Sequence, residues 1–391
     1  MILDTFPSAE EFYKTYWGKK PFIVRKFIDP VLMESFVDGD IMAGLALEED
    51  IKSRIVTNDP SGRKWECEHG PFDESRFSEL GERDWSLLVQ NVEQYHTDTA
   101  KLLEYFHFSP RWLLDDIMVS YSAPGGSVGP HTDSYHTFLI QGIGVRKWKL
   151  SADPVMDKNY IQGMDIKVLQ NGFKGDEFEV RMGDVIYIPP HFGHEGVTLE
   201  TAMTFSVGFL GPKMSEMMTE YAAYLEEVES RDKRYLGAGL GVDSGAFSVS
   251  LQEQDTIRNG LISAIQSDDF SLWMAQYFST PTYADIEDIE LCADPLDEAD
   301  ILDALQKGSV LYRPEHIKLS ITTSSNGALH LAVYGQVVSS SLEHKALIES
   351  MNCNETISRE NLDDLGDRHA VITLITQLYN LDVLSFEGHD G

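Results

Sequence analysis

The sequence predicts a mainly β core domain of antiparallel strands, preceded by helical turns and followed by a helical segment and a small α+β module. Three observations carry that reading. The 391 residues exceed what one hydrophobic core usually organises, so two or three domains are expected. From about Asp116 to Phe209, short β-type runs alternate with glycine and proline. After Gly211-Pro212 the apolar spacing turns helical. With 42% hydrophobic and 10% aromatic residues, the chain lacks the low-hydrophobicity signature of disorder.

At the N-terminal end, Ser8-Ala9-Glu10-Glu11 has the form of a capping box, and Phe12, Tyr13, Tyr16 and Trp17 continue a helix that Gly18 and Pro21 stop. Residues 52–67 read as two strands around the turn cluster Asp59-Pro60-Ser61-Gly62. Residues 85–106 read as helical. The runs Ile117–Tyr121, Thr137–Gln141, Lys147–Leu150, Phe178–Val180, Val185–Ile188 and Thr204–Phe209 then predict a sandwich or small barrel.

Beyond Pro212, Met214, Met217, Met218, Tyr221, Leu225 and Val228 follow helical spacing, and Ile257, Leu261, Ile262 and Ile265 repeat it. That stripe fits an ordinary buried face or a dimer interface. An acidic stretch, residues 284–303 around Pro295, reads as a linker running into a helix. A helix at Ile301–Gln306, strands at Val310–Tyr312, Lys318–Thr322 and Ala328–Tyr334, and helices at Leu342–Ser350 and Ala370–Tyr379 have the order of a winged-helix-like module.

Charge narrows the function. Sixty-four Asp and Glu against 31 Lys and Arg give −33, a field that repels phosphate backbones and attracts basic partners. From Asp297 onward there are 6 basic and 15 acidic residues, so the terminal module is expected to bind protein or serve structure rather than bind nucleic acid. No run approaches a membrane span, and Met1-Ile2-Leu3-Asp4 does not begin like a signal peptide. Cys67, Cys292 and Cys353 are far apart and in no metal-type spacing, as suits a reducing cytoplasm.

Chemistry concentrates in the β stretch. In Gly125-Gly126-Ser127-Val128-Gly129-Pro130-His131-Thr132-Asp133, the His and the carboxylate two residues apart can share one face of a strand and offer two ligands to one metal. Gly183-Asp184-Val185-Ile186-Tyr187-Ile188-Pro189-Pro190 reads as a strand ended by prolines, with His191 and His194 in a short loop behind it. One of these two with His131 and Asp133 makes the two-histidine, one-carboxylate set that leaves positions open on Fe(II) for an organic cosubstrate and O₂. A closed tetrahedral site would instead hold structural zinc.

His131-Thr132-Asp133, the Gly183-Asp184 to Ile188-Pro189 strand and Pro189 to His194 resemble the JmjC-type, cupin-fold 2-oxoglutarate oxygenases. Within these, Tyr16-Trp17-Gly18-Lys19-Lys20-Pro21-Phe22, His69-Gly70-Pro71-Phe72, Trp85-Ser86-Leu87-Leu88-Val89-Gln90 and His194-Glu195-Gly196 resemble the bacterial ribosomal-protein arginine hydroxylases, over nearly the whole chain. The resemblance implies a catalytic double-stranded β-helix in residues 1–211 with its β core at about 115–210. It implies a helical dimerisation domain at 212–283, hence a homodimer, and an acidic linker with a winged-helix-like domain at 284–391.

The same resemblance implies His131, Asp133 and His194 as ligands of Fe(II), and Arg146 as the partner of the distal carboxylate of 2-oxoglutarate. Arg can grip a carboxylate through two parallel hydrogen bonds. Thr204 and Ser206, on one face of their strand, are both candidates to assist it. His191 becomes a neighbour, and strand parity turns His136 to the opposite face. Histidines 316, 330, 344, 369 and 389 are expected at surface or capping positions. The implied reaction spends O₂ and 2-oxoglutarate, giving succinate and CO₂, to hydroxylate Cβ of an arginine in a basic 50S ribosomal protein. Two other readings are the same chemistry on histidine or methyl-lysine, and a non-catalytic metal-binding cupin adaptor.

Overall fold

Side-chain alternation along the strands decides which of two cores each residue joins. The computed structural model describes residues 2–59, 64–227, 233–237, 240, 246–281, 294–339, 341–353 and 355–386. The chain divides into two compact units, Met1–Gly211 and Pro212–Gly391. The described strands of the first are β1 (Ile2–Leu3), β2 (Phe22–Val24), β3 (Ser53–Asn58), β4 (Trp65–His69), β5 (Trp85–Val89), β6 (Leu114–Ser122), β7 (His136–Gln141), β8 (Arg146–Pro154), β9 (Asp176–Val180), β10 (Val185–Ile188), β11 (Phe192–Thr198) and β12 (Ala202–Phe209). Nine form one sheet in the order β1-β2-β10-β7-β12-β6-β5-β3-β4, and β11-β8-β9 form a second. This is the mainly β core of antiparallel strands that the sequence predicts.

On one face of the large sheet, Ile117, Val119, Phe138, Ile140, Val185, Tyr187, Phe205 and Val207 join a core with the helical turns at the N-terminal end. The alternate residues Leu139, Ile186 and Ile188 face the small sheet, where they meet Trp148, Leu150 and Phe192. With both faces covered, β10 reads as an unbroken apolar run. Phe138 is fully buried and packs against Phe106 at 4.7 Å and Tyr187 at 5.0 Å between ring centroids. Burying one such side chain stabilises the fold by about 1.5–3 kcal/mol.

The structure departs from the sequence expectation in three places of the first unit. Residues 85–106 are not one helix. Trp85–Val89 is β5, paired with β3 and β6, and only short helical turns follow from Val92 to Phe106. Leu87 and Val89 enter the main core while Leu88 joins Val56, Trp65 and Val168 on the other face. A run buried on both faces carries no periodicity to distinguish strand from helix. Residues 192–198, expected as a loop, are the strand β11, held by its antiparallel partner β8 despite Gly193 and Gly196. The first helix is only Ala9–Glu11, capped by Ser8 Oγ accepting from Glu11 N at 3.3 Å, and it widens into a π-turn over Phe12–Tyr16. The expected turn residues Pro60, Ser61 and Gly62 lie outside the described residues.

The motif Gly183-Asp184 has a structural explanation. Gly183 adopts φ +83°, and a Cβ there would stand 2.6 Å from the carbonyl oxygen of Ile28. The buried carboxylate of Asp184 accepts from Arg25 Nη1 at 2.6 Å, Lys26 N at 3.0 Å and Arg181 N at 3.0 Å. These bonds fix the entry to β10.

In the second unit, helices span Met214–Glu226, Leu251–Ile265 and Asp268–Ser279. Tyr221, Tyr224 and Trp273 form a cluster joined by Met217 and Leu225, whereas Met214 and Met218 are 72% and 66% exposed. Val228 lies outside the described residues, as does the acidic stretch 282–293. The helix Glu298–Gln306 starts at Asp297, whose side chain accepts from Ala299 N and Asp300 N. A three-stranded sheet, Leu319–Thr323, Leu329–Val333 and Gln336–Ser339, and helices Lys345–Asn352 and Arg368–Asn380 complete the terminal part; its last strand was missed in the sequence. Helix Asp268–Ser279 is tied to that sheet through Thr322 Oγ1 to Ser271 O at 2.6 Å. Among the described residues no helix is long and apolar enough to cross a membrane.

A buried acid pair lies at the start of β6. Glu93 is 3% exposed and its Oε2 accepts from Ile117 N at 2.8 Å, a backbone donor beyond the reach of the β5 ladder. Burial pushes the Glu93 carboxyl up to about 7, against the hydrogen bond from Ile117, and burial with nearby Asp115 does the same for Asp116. The folded protein therefore holds more protons than the unfolded chain between about 4.5 and 7. The sign follows: stability present below the unfolded value is lost as pH rises through the folded one. In urea denaturation from pH 5 to pH 8, the wild type should lose about 2–3 kcal/mol relative to Glu93→Gln, which keeps the acceptor, because the other titrating groups act alike in both proteins. Parallel pH curves would contradict this.

Candidate active site

Period two on the strands also builds the site. Cross-strand pairing places Arg54 of β3, Leu88 of β5, Ser120 of β6 and Thr204 of β12 in one row. Met118, Ser206 and Leu139 form the next row. Both rows line a cavity of about 500 Å³ between the two sheets, and Arg146 and Trp148 of β8 and His194 of β11 line it from the opposite side. Serine and threonine thus replace apolar residues on the cavity side of β6 and β12, while Val119 and Phe205 keep the other face apolar.

His131, Asp133 and His194 converge there. One potential ligand atom from each lies within 4.8 Å of the others, the one such group of three among the described residues. A reciprocal backbone bridge sets the two histidines opposite each other in register: His131 N donates to His194 O and His194 N to His131 O, both at 3.0 Å. Asp133 O accepts from His191 N at 2.7 Å, which ties the loop before β11 to the same segment.

The ring orientations suit a metal. His131 Nδ1 lies 2.8 Å from Gly129 O, and His194 Nδ1 lies 3.1 Å from Phe192 O. A carbonyl oxygen only accepts, so both Nδ1 atoms carry the proton and both Nε2 atoms present lone pairs. Gly129 must be glycine for this: at φ +79° a Cβ would stand 2.9 Å from the Trp65 ring and from Val168. Burial, then the neighbouring His194, lowers His131 to about 4, so it is neutral at physiological pH. Burial opposes ionisation of Asp133, but the contact with His194 at 3.3 Å and the Arg54 cation outweigh it and hold the carboxyl at about 2. Two imidazoles with Nε2 directed inward and one carboxylate form a donor set that fits a divalent transition metal with open positions.

Arg146 is the second focus. Its guanidinium is buried and donates to four hydroxyls: Nε to Thr198 Oγ1 at 3.1 Å, Nη1 to Ser120 Oγ at 3.2 Å and Thr204 Oγ1 at 3.1 Å, and Nη2 to Ser122 Oγ at 3.0 Å. Its Cζ lies 5.6 Å from the Trp148 ring centroid. No acidic side chain among the described residues pairs with it, and burial lowers it to about 10, still charged at neutral pH. A cation held by neutral acceptors only is prepared for an anion from outside.

Of the two hydroxyl candidates, Thr204 bonds Arg146, whereas Ser206 lines the cavity but is engaged with Thr137 Oγ1 at 2.9 Å. Ser120, Ser122 and Thr198 were not singled out from sequence. Ser120 and Ser122 flank Tyr121 at alternate positions of a β run, which is the signal that marks them. Lys147 points outward to Glu177 at 3.3 Å. His136 lies away from the metal-type group, stacked on Trp17 at 3.6 Å and bonded to Tyr187 Oη at 2.8 Å. His191 is exposed and bonds Lys158 Nζ at 2.9 Å. His330 is bonded to Ser324, His344 to Ser339, and His369 lies 3.8 Å from Glu298. His389 lies outside the described residues, and His316 joins no metal-type group.

Comparison with known proteins agrees with this geometry. Residues 101–217 match the JmjC domain family. The chain is 32% identical over 383 residues to the ribosomal protein uL16 3-hydroxylase of Escherichia coli K12, covering 97% of each. It is 36% identical over 212 residues to the probable ribosomal oxygenase of Haemophilus influenzae, covering 54% of this chain and 52% of that protein. Among solved structures, E. coli YcfD superposes with a TM-score of 0.83 at 31% identity over 99% and 100% of the two chains. Its complex with cobalt and 2-oxoglutarate gives 0.80 at 31% identity over 98% and 99%.

Titrating Co(II) into the metal-free protein and following its visible absorption tests the ligand set. Asp133→Ala and His194→Ala should each weaken binding by more than the roughly tenfold to hundredfold that outer-shell partners alone contribute. His191→Ala should leave it unchanged, and loss of binding in His191→Ala with retention in His194→Ala would reverse the assignment.

Proposed function

The chain belongs to the ribosomal oxygenases of the JmjC class, and from that premise we propose that it is an Fe(II)- and 2-oxoglutarate-dependent hydroxylase of a large-subunit ribosomal protein that oxidises Cβ of an arginine. The observation that carries this reading is the pairing of an open His-Asp-His ligand set with a buried, carboxylate-free Arg146 in one cavity. A non-catalytic metal-binding cupin has no use for the second feature.

His131 Nε2, His194 Nε2 and an Asp133 oxygen would hold the iron. When bound, it supplies with O₂ the oxidising chemistry that hydroxylation of an unactivated carbon requires. The chain's own contribution is position and environment. Hydrogen bonds from the two Nδ1 atoms to Gly129 O and Phe192 O keep both rings aimed inward. Arg146 takes the distal carboxylate of 2-oxoglutarate, its fork pre-set by Thr204, Thr198, Ser120 and Ser122. Leu88, Met118, Leu139 and Trp148 add apolar surface to the same cavity and restrict water.

Two further observations bear on the target, the first on its residue type and the second on the carbon attacked. Tyr135 lines the cavity, and its phenol is raised by burial and then by Asp133, Asp116 and Asp115, so acidic side chains lie near it. The E. coli relative is named a 3-hydroxylase of uL16, and the third carbon of an amino-acid residue is Cβ. The proposal includes a homodimer through the helical middle, residues 212–283, where Leu261, Ile262 and Ile265 stay partly exposed. It also includes a winged-helix-like terminal module in 284–391 that binds protein and not nucleic acid, and a cytoplasmic enzyme that meets its ribosomal substrate there.

Incubation of the purified protein with Fe(II), 2-oxoglutarate, O₂ and uL16 should yield succinate and a uL16 peptide heavier by one oxygen atom. Fragmentation should place that oxygen on arginine. Oxygen on histidine would transfer the chemistry to another residue, and absence of succinate would remove the oxygenase reading.

A further inference from the structure

Arg54 is a second cation in the cavity, and its surroundings differ from those of Arg146. It stands in the same cross-strand row as Leu88, Ser120 and Thr204, so its side chain rises on the cavity side of the sheet. There it finds no oxygen acceptor among the described residues. Nη2 lies 3.7 Å from the thioether sulfur of Met118, a weak acceptor, and Nε is buried without a partner. Arg146 at the other end is enclosed by four hydroxyls. A guanidinium with five donors and a buried, unsatisfied Nε is costly in the free protein. It is explained if something that enters the cavity supplies acceptors.

The entering group is not the metal, which a cation repels, and the distal carboxylate of 2-oxoglutarate already has Arg146. What remains is the substrate polypeptide. Arg54, Lys158 and Lys167 line the cavity against Asp165, with Asp133 occupied as a ligand, so the lining is locally basic in a chain of net charge −33. Such a lining does not attract a basic segment by charge; it offers donors. A basic ribosomal segment carries few carboxylates, but every residue of it carries a main-chain carbonyl oxygen.

Resting on the oxygenase reading above, we propose that Arg54 is a substrate-positioning residue whose guanidinium takes main-chain carbonyl oxygens of the polypeptide beside the target side chain. That contact fixes the segment against Met118 and sets which residue reaches the metal. It leaves the binding of 2-oxoglutarate to Arg146.

The test uses the full-length protein loaded with Co(II) and 2-oxoglutarate under nitrogen, titrated with fluorescently labelled uL16. Arg54→Gln should weaken uL16 binding by about tenfold to a hundredfold, the effect of losing a charge-assisted hydrogen bond at a buried site. Arg54→Lys, which keeps the charge and loses the planar fork, should fall between it and wild type. In both variants the calorimetric affinity for 2-oxoglutarate should match wild type, which also reports that the cavity is folded. Equal uL16 affinity in all three proteins overturns the role of Arg54 alone. A variant that loses 2-oxoglutarate affinity while keeping uL16 affinity assigns Arg54 to the cosubstrate and also overturns it. Failure of the wild type to bind uL16 counts against the oxygenase reading and the proposal together.

Discussion

The buried guanidinium of Arg146 is the constraint on which the rest of this site depends. Removing a charge from water costs several kcal/mol even after relaxation, and breaking its compensation costs more. Here four hydroxyls from three strands, Ser120 and Ser122 of β6, Thr198 of β11 and Thr204 of β12, supply that compensation without neutralising the charge. The fold thereby keeps a cation in a cavity wall without a counter-anion among the described residues. Polar residues in otherwise apolar strands are the visible trace of this arrangement, since Val119 and Phe205 between them pack in the main core.

The metal-type group depends on the same two-sheet geometry. His131 and Asp133 come from the segment before β7, His194 from β11, and the reciprocal backbone bridge between the histidines brings the two segments together. The small sheet carries both Arg146 and His194, so any slip of β11 against β8 would move a ligand and the hydroxyl of Thr198 at once. A register shift of one residue would turn both to the wrong face. On the proposed assignment, the grips on cosubstrate and metal would be coupled through this one strand pair.

Much of this was legible in the sequence because its signals are local. The two-residue spacing of His131 and Asp133, the Gly183-Asp184 turn and the prolines after Ile188 are short-range features, and the β runs from Ile117 to Phe209 were readable from alternation and breakers. What was hidden is what neighbours decide. Strand β11 contains Gly193, His194 and Gly196 and has little β character by itself; β8 makes it a strand. Strand β5 is buried on both faces, so its apolar run carries no period. The choice between Thr204 and Ser206 depends on Thr137 being close enough to engage Ser206, a contact across 69 residues. Net charge misleads in a different way. The −33 total attracts basic partners at long range, yet the cavity lining itself is basic, with Arg54, Arg146, Lys158 and Lys167 against Asp133 and Asp165.

If Arg146 is held for an external carboxylate, that carboxylate should dominate cosubstrate recognition. Calorimetric titration of the Co(II)-loaded protein with 2-oxoglutarate and with 2-oxobutyrate, which chelates alike but lacks the distal carboxylate, measures this directly. The account predicts that the wild type prefers 2-oxoglutarate by about tenfold to a hundredfold or more, the worth of a charge-assisted pair, and that Arg146→Met abolishes the preference. Equal affinity of the wild type for the two ligands, or an undiminished preference in Arg146→Met, would contradict it.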